Sequence, residues 1–236
     1  MSDHRRAAQK RQLPVWQESI LLVVIAMVMA IVVKTFFLQA FYIPSESMEP
    51  TMLPDDKILV QKVSYWFGDV DRGDIVVFDD PGGWLSAADS TQASNAFQRA
   101  LEKVGLYPTG GHLIKRVIGV GGDEVACCDD KGRITVNGTP LDEPYLMDET
   151  VNADQPFDQK VPKGYLWVMG DNRGNSADSR AHLGDPGGGF IKEDSVVGKA
   201  WVRVWPLGRA GFIRGVKAFD AVQAGGEIGS RRALVR

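Results

Sequence analysis

The chain has 236 residues, enough for one medium domain with a real core and marginal for two. Hydrophobic residues make up 44% and charged residues 24%, both near the globular average, which excludes a chain disordered as a whole. The formal charge of −3 excludes a generally basic nucleic-acid binder, although Arg5, Arg6, Lys10 and Arg11 make residues 1–15 locally basic.

Residues 20–33 (ILLVVIAMVMAIVV) are apolar without a single charge. Lys34 interrupts, and TFFLQAFYI carries the apolar character on to Ile43. As a helix, residues 20–43 would run roughly 36 Å, enough to cross a bilayer core of about 30 Å. Lys34 is then expected to snorkel to the far interface beside Phe36, Phe37, Phe41 and Tyr42. All-round apolarity and the basic flank argue against a buried core helix. The lack of a clear small-x-small site argues against a cleaved secretory signal. The expectation is an uncleaved signal-anchor over residues 16–43 in the cell (plasma) membrane. The basic flank predicts that residues 1–15 are cytoplasmic and that everything after about residue 43 is extracytoplasmic.

The rest reads as mainly β. Residues 57–62, 74–78, 113–120, 133–137, 165–169 and 196–205 are short Val/Ile/aromatic runs bounded by Gly, Pro, Asp or Asn. That pattern suits an antiparallel β-rich domain, here placed over residues 44–206. Asn137-Gly138 between RITV and TPLDEPYL is a hairpin signal. Residues 81–112 look like an insertion: a Gly/Ser/Ala-rich loop, then one helix over 92–104 with Ala96, Phe97, Ala100, Leu101 and Val104 at helical spacing. The tail, residues 207–236, carries Arg209, Arg214, Lys217, Arg231, Arg232 and Arg236 against Asp220 and Glu227. It reads as a partly ordered surface segment, with contact to anionic lipid as the alternative.

Cys127 and Cys128 are adjacent, and a bridge between neighbours needs a strained ring. Buried free thiols are the expectation, with a redox pair as the alternative. There is no CxxC or Cys/His cluster, so no metal is expected.

Three polar segments carry candidate chemistry. In 43–52 (IPSESMEPTM), Pro44 prevents continuation of a helix and Ser45 and Ser47 sit between prolines, which alone is more often a loop. In 113–123 (LIKRVIGVGGD), Lys115 and Arg116 interrupt an apolar strand. Alternation predicts that one faces the core and the other solvent. A lysine in apolar surroundings has its ammonium form disfavoured and becomes a candidate general base, though a snorkelling edge lysine is the commoner case. In 170–180 (GDNRGNSADSR), Asp171, Arg173, Asp178 and Arg180 can pair to stiffen a loop. The spacing does not fit the twelve-residue calcium loop.

Taken together, PSESMEPTM, GDIVVF, IKRVIGVGGD and GDNRGNSADSR, in this order behind one N-terminal span, resemble the bacterial type I signal peptidase (leader peptidase) family, in its Gram-positive-like branch. The resemblance covers about residues 20–206, apart from the insertion. It implies the signal-peptidase-type β fold and a membrane-anchored endopeptidase that removes signal peptides from exported preproteins. By that resemblance Ser47 matches the nucleophile and Lys115 the general base. Ser45 matches the hydroxyl that forms the oxyanion hole with the Ser47 N–H. Ser176 matches the serine that orients the lysine, Asp178 and Arg180 the supporting pair, and Asp171 the head of the same motif. Phe41, Ile43, Met48, Met52, Leu113 and Ile114 match the substrate pockets. The implied partners are preproteins with Ala-x-Ala-type sites and the lipid bilayer, with no nucleic acid and no cofactor, and a monomer as the default. Gly174 stands where the family commonly has aspartate and Met52 where it commonly has leucine. Two alternatives compete: a Ser-His-Asp hydrolase using His112 or His182, and an anchored non-catalytic β-domain serving as an envelope binding or scaffold protein.

Overall fold

The computed structural model describes residues 14–63, 65, 68–85, 111–148 and 156–222. The expected helix over 92–104, the basic residues before Pro14 and the last residues of the tail lie outside these.

The one long helix, α1 (Val15–Phe36), begins at Pro14, whose carbonyl accepts the Gln17 and Glu18 N–H groups. Its stretch Val15–Val33 has a mean hydropathy of 2.3, and none of it is buried against the rest of the chain. It is long and apolar enough to cross a bilayer. Residues 38–42 do not continue the helix. They form strand β1 (Leu38–Tyr42), because their backbone groups find partners along β2 (Lys57–Gln61), with Leu38 opposite Gln61 and Tyr42 opposite Lys57. The span is thus shorter than the 16–43 expected. Sheet pairing takes over the last apolar residues, 38–42.

The remaining strands are β3 (Ile75–Asp79), β4 (His112–Gly119), β5 (Glu124–Cys127), β6 (Ile134–Val136), β7 (Thr139–Pro140), β8 (Phe157–Lys160), β9 (Tyr165–Met169), β10 (Ile191–Lys192), β11 (Val196–Trp205) and β12 (Gly211–Phe212). They build two antiparallel sheets. The larger runs β1-β2-β11-β3-β4-β9-β10, with β12 on β11, and the smaller runs β7-β6-β5-β8. All six strand expectations are met within a residue or two. The Asn137-Gly138 turn joins β6 to β7 with positive φ at both residues (53° and 75°), as a primed hairpin turn requires.

Two apolar clusters position the serine turn and the tail. Ile43, Met48, Met52, Ile58, Val60, Ile75, Val77 and Ile114 form one, which seats the polypeptide just after β1 on the larger sheet. Val125, Ile134, Val136, Phe157, Trp167 and Met169 form another, together with Phe219 and Val222. The described part of the tail is mostly exposed, as expected of a surface segment, but it is anchored in the core at two points. Phe219 and Val222 are buried, and the Phe219 ring packs where a side chain at Gly73 would have to be, 2.9 Å from a Cβ built there. Gly73 also has a φ of 85°, so it is required twice over.

The structure joins Cys127 and Cys128 as a disulfide, rather than leaving the free thiols expected from their adjacency. Neighbours within a strand point to opposite faces, but this pair sits where β5 ends and that alternation lapses.

Docking of the tail is measurable. Phe219→Ala should lower the unfolding free energy of the detergent-solubilised chain in urea by about 3 kcal/mol or more. A loss below about 0.5 kcal/mol, the range of ordinary surface substitutions, would show that the tail is not part of the core.

Candidate active site

Between β1 and β2 the chain makes one short 3-10 turn, Glu46–Met48. Ile43 is pinned first: its N–H donates to the Asp56 carbonyl (3.0 Å), and its own carbonyl accepts the Asp55 N–H (2.9 Å). Pro44 then breaks the ladder. Met48 and Met52, fully buried and linked by a 2.9 Å backbone hydrogen bond, plug the turn into the core. Ser47 is thereby held on the turn with its hydroxyl 2.6 Å from Lys115 Nζ and 3.2 Å from the Ser45 hydroxyl.

Lys115 lies on β4, flanked by β3 and β9. Only 4% of it is exposed, and Arg116 is buried as well. The expectation that one of the two would face solvent fails because β4 is a central strand covered on both faces. Burial pushes the Lys115 amine down from 10.5 to about 8; the charges of Asp178 and Asp171 oppose the shift, and that of Arg180 adds to it. The site is thus an amine whose proton is easily removed, touching a serine hydroxyl.

Three buried ion pairs brace β4 and the 170–180 loop. Arg116 makes a two-pronged contact with Asp171 (2.8 and 2.6 Å) and donates to the Gly73 carbonyl (2.9 Å), while Thr51 Oγ1 donates to Asp171 (2.5 Å). Arg180 grips Asp178 (2.9 and 2.8 Å) and donates to the Arg173 carbonyl (2.8 Å). Burial alone would raise the Asp178 carboxyl, but Arg180, the Gly170 N–H and the charge of Lys115 together hold it below the usual carboxylate range. Arg173 pairs with Glu143 (2.7 and 3.1 Å).

The loop from 170 to 180 is also stitched directly to the serine turn. The Asn172 N–H donates to the Ser47 carbonyl (3.1 Å), its side-chain amide to the Glu46 carbonyl (3.2 Å), and the Asn175 amide to the Glu46 carboxylate (2.9 Å). The two segments approach so closely at Gly170 that a Cβ there would overlap both the Ser47 carbonyl and the Ser176 hydroxyl.

The structure brings together Ser45, Ser47, Lys115, Asp171, Asp178 and Arg180, all expected. Ser176 differs in detail. Its buried hydroxyl lies against Gly170 and makes no hydrogen bond to Lys115 or to any other described residue. Gly174 is exposed in the turn Arg173–Asn175, and bracing of this loop falls to Arg173 and Glu143. Of the six pocket candidates, Met48 and Met52 are fully buried beneath the turn, Ile43 and Ile114 nearly so, and Phe41 is half-buried beside them. Leu113 packs instead in a different cluster, with Phe78, Val117 and Leu166.

Neither described histidine hydrogen-bonds Ser47. His112 sits 2.8 Å from Asp79 with its ring edge-on to Phe41, and His182 stacks on Trp84 beside Asp185. Sequence reasoning missed the Arg116–Asp171, Thr51–Asp171, Arg173–Glu143 and Glu46–Asn175 contacts. Local signals were limited to charges inside the apolar run of β4 and a Glu-Pro-Tyr between turn residues.

Comparison with known proteins places this geometry in context. A family model described as signal peptidase, peptidase S26, matches residues 16–205. The chain is 41% identical to the signal peptidase I of Mycobacterium tuberculosis (strain CDC 1551 / Oshkosh), over 91% of this chain and 80% of that protein. It is 36% identical to the signal peptidase I of Leptolyngbya laminosa over 82% of each chain. It is 30% identical to signal peptidase I U of Bacillus subtilis (strain 168), over 81% of this chain and 89% of that one.

Burying an amine has a stability consequence with a defined sign. Below about pH 8 the ammonium is buried, and the folded state carries the full penalty, about 3 kcal/mol for a shift from 10.5 to about 8. Between about 8 and 10.5 the unfolded chain holds a proton that the folded chain has lost, so the penalty is relieved as pH rises. Lys115→Met should therefore be more stable than the parent at pH 7, with an advantage that shrinks above pH 8. Urea denaturation across this range checks it; an advantage that does not vary with pH would contradict the assigned protonation.

Proposed function

The chain belongs to the signal peptidase family, peptidase S26, and is a membrane-anchored serine peptidase that cleaves signal peptides from preproteins; we propose that Ser47 is its nucleophile and Lys115 its general base. The observation that carries this reading is the 2.6 Å approach of Lys115 Nζ to Ser47 Oγ, with the amine held at about 8 by burial. At pH 7 an amine of pKa 8 is neutral about a tenth of the time, against roughly one part in three thousand at 10.5. Burial thus raises the working fraction of base by about 300-fold.

Neutral Lys115 takes the Ser47 proton as Oγ attacks the carbonyl carbon of the scissile bond. The negative charge that forms on the carbonyl oxygen is met by the Ser45 hydroxyl and the Ser47 N–H. Lys115, now ammonium, gives its proton to the departing amine, and the C–N bond breaks to leave an ester on Ser47. The same amine then deprotonates a water, which attacks the ester carbonyl and frees the signal-peptide carboxylate and Ser47. Asp178 and Arg180 hold the loop against Lys115, and Asp171 holds Arg116. A non-catalytic anchored domain has no use for a lysine buried at such a penalty.

The substrate side follows from the same frame. Phe41, Ile43 and Ile114 belong to the apolar cluster that seats the serine turn, and an apolar lining of this kind favours small side chains and hence Ala-x-Ala sites. The N-terminus is cytoplasmic, α1 crosses the plasma membrane once, and the β domain is extracytoplasmic, in keeping with the basic residues before the span. Strands β1 to β12 with the docked Phe219 and Val222 form the catalytic domain, and a single copy is sufficient for the chemistry. Tyr42, Trp205 and Leu207 are exposed at the end of the sheet where Tyr42 and Trp205 lie opposite Lys57 from either side. Such amphipathic rings suit the headgroup region where a preprotein's membrane-held segment ends.

Ser47→Ala and Lys115→Ala, tested as full chains in detergent on a preprotein, should each lower kcat/KM by about 10³-fold or more. Parent-level cleavage by either, in a folded variant, would sink the assignment. The parent's kcat/KM should rise with pH along an acidic limb centred near 8, since only the neutral amine is a base. Replacing the alanine just before the cleavage site by a bulky residue should abolish cleavage; tolerance there would refute the preference for small side chains.

A further inference from the structure

The segment between β7 and the turn at Met147 belongs to no recognised motif, yet it buries a carboxylate. Leu141 and Leu146 anchor it in the core, and Glu143 between them is 5% exposed. One Glu143 oxygen accepts from Arg173 Nη2 (2.7 Å) and from the Tyr145 hydroxyl (2.5 Å), and the other accepts from Arg173 Nη1 (3.1 Å). The Tyr145 ring in turn lies under the Arg116 guanidinium, 4.2 Å from its carbon. Burial, and then the charge of Glu143, push the Tyr145 phenol well above its ordinary value, so it stays a donor.

This segment therefore touches both halves of the catalytic frame. Through Tyr145 it meets the residue next to Lys115. Through Glu143 it holds Arg173, which donates to the Gly170 carbonyl (3.0 Å) and whose own carbonyl accepts from Arg180 (2.8 Å), the partner of Asp178. Gly170 is where the loop meets the Ser47 carbonyl. We propose that Glu143, with Tyr145, is a positioning residue of the reaction: it locks Arg173 and so fixes the 170–180 loop against Lys115 and Ser47. The proposal rests on the assignment of those two residues as base and nucleophile.

A buried guanidinium that loses its carboxylate must move or draw water in. Either response shifts the Gly170 carbonyl and the Arg180–Asp178 pair. Glu143→Gln also removes one negative charge from a cluster whose other charges, among them Asp171, Asp178 and Arg180, act on Lys115. A role confined to packing would change thermal stability alone.

The experiment compares Glu143→Gln, Tyr145→Phe and Lys115→Ala with the parent, as full chains in detergent on a peptide substrate, below the unfolding temperature of each. Glu143→Gln should lower kcat by about tenfold or more with KM within about twofold, and should move the acidic limb of kcat/KM to lower pH. Tyr145→Phe should show the same pattern, more weakly. Folded Glu143→Gln with the parent's kcat and pH limb overturns the proposal, as does a rise in KM at unchanged kcat, which would mean contact with substrate. Should Glu143→Gln not fold, Tyr145→Phe decides: a lowered kcat at constant KM supports the proposal and a parent-like kcat overturns it. If Lys115→Ala keeps its activity, the base assignment fails instead, and the two failures are told apart.

Discussion

Lys115 is buried with its amine against the Ser47 hydroxyl, and the arrangement of the rest of the domain follows from the cost of keeping it there. An ammonium in such a place is penalised, which lowers its pKa; an amine hydrated at the surface would be protonated almost always and could not act as a base at neutral pH. The penalty is tolerable because the neighbouring arginines are each matched by a carboxylate: Arg116 by Asp171, Arg173 by Glu143 and Arg180 by Asp178. These pairs add little net charge around Lys115 while giving the loop and β4 a rigid polar interior. Buried pairs of this kind contribute modestly to stability, but breaking one is expensive, so they act as constraints on geometry.

The Ser47 hydroxyl is held by quite different forces. Ser47 sits on a short turn, and its orientation comes from Met48 and Met52 sunk in the core below and from backbone and amide contacts with Asn172 above. Gly170 permits that approach, since a side chain there would occupy the space of the Ser47 carbonyl. Apolar packing fixes depth and hydrogen bonds fix direction. The two together hold a hydroxyl and an amine within hydrogen-bonding distance although they come from segments far apart in the chain.

The membrane contributes the third constraint. α1 passes into β1 with almost no linker, and β1 is an integral edge of the larger sheet. The catalytic domain is thus tied to the bilayer through sheet hydrogen bonds and not through a flexible tether. This is also where the sequence was hardest to read. An apolar run to Ile43 is indistinguishable from a longer span until β2 is known to be waiting for residues 38–42. The same limit applied at the other end, where Phe219 and Val222 lie among basic residues that suggested a surface tail.

Local signals sufficed wherever the physics was local. Apolar periodicity located the span and six strands, Asn137-Gly138 located its hairpin, and the four ordered motifs pointed to Ser47, Lys115, Asp178 and Arg180. What the sequence could not state was which charges meet. Arg116 had no readable partner, and Asp171 and Arg173, expected to pair within their own loop, instead meet Arg116 and Glu143, which are distant in the chain; pairing across such distances is settled only by strand order and loop packing. The sequence by itself determined the class of chemistry, because a serine, a lysine in an apolar strand and their flanking motifs are properties of residue type and order. Only the tertiary structure decided that the lysine is buried, that Glu143 shares its frame, and that the Ser176 hydroxyl turns to Gly170. Burial and hydrogen bonding depend on what surrounds a group in space, and neighbours in space are set by the fold as a whole.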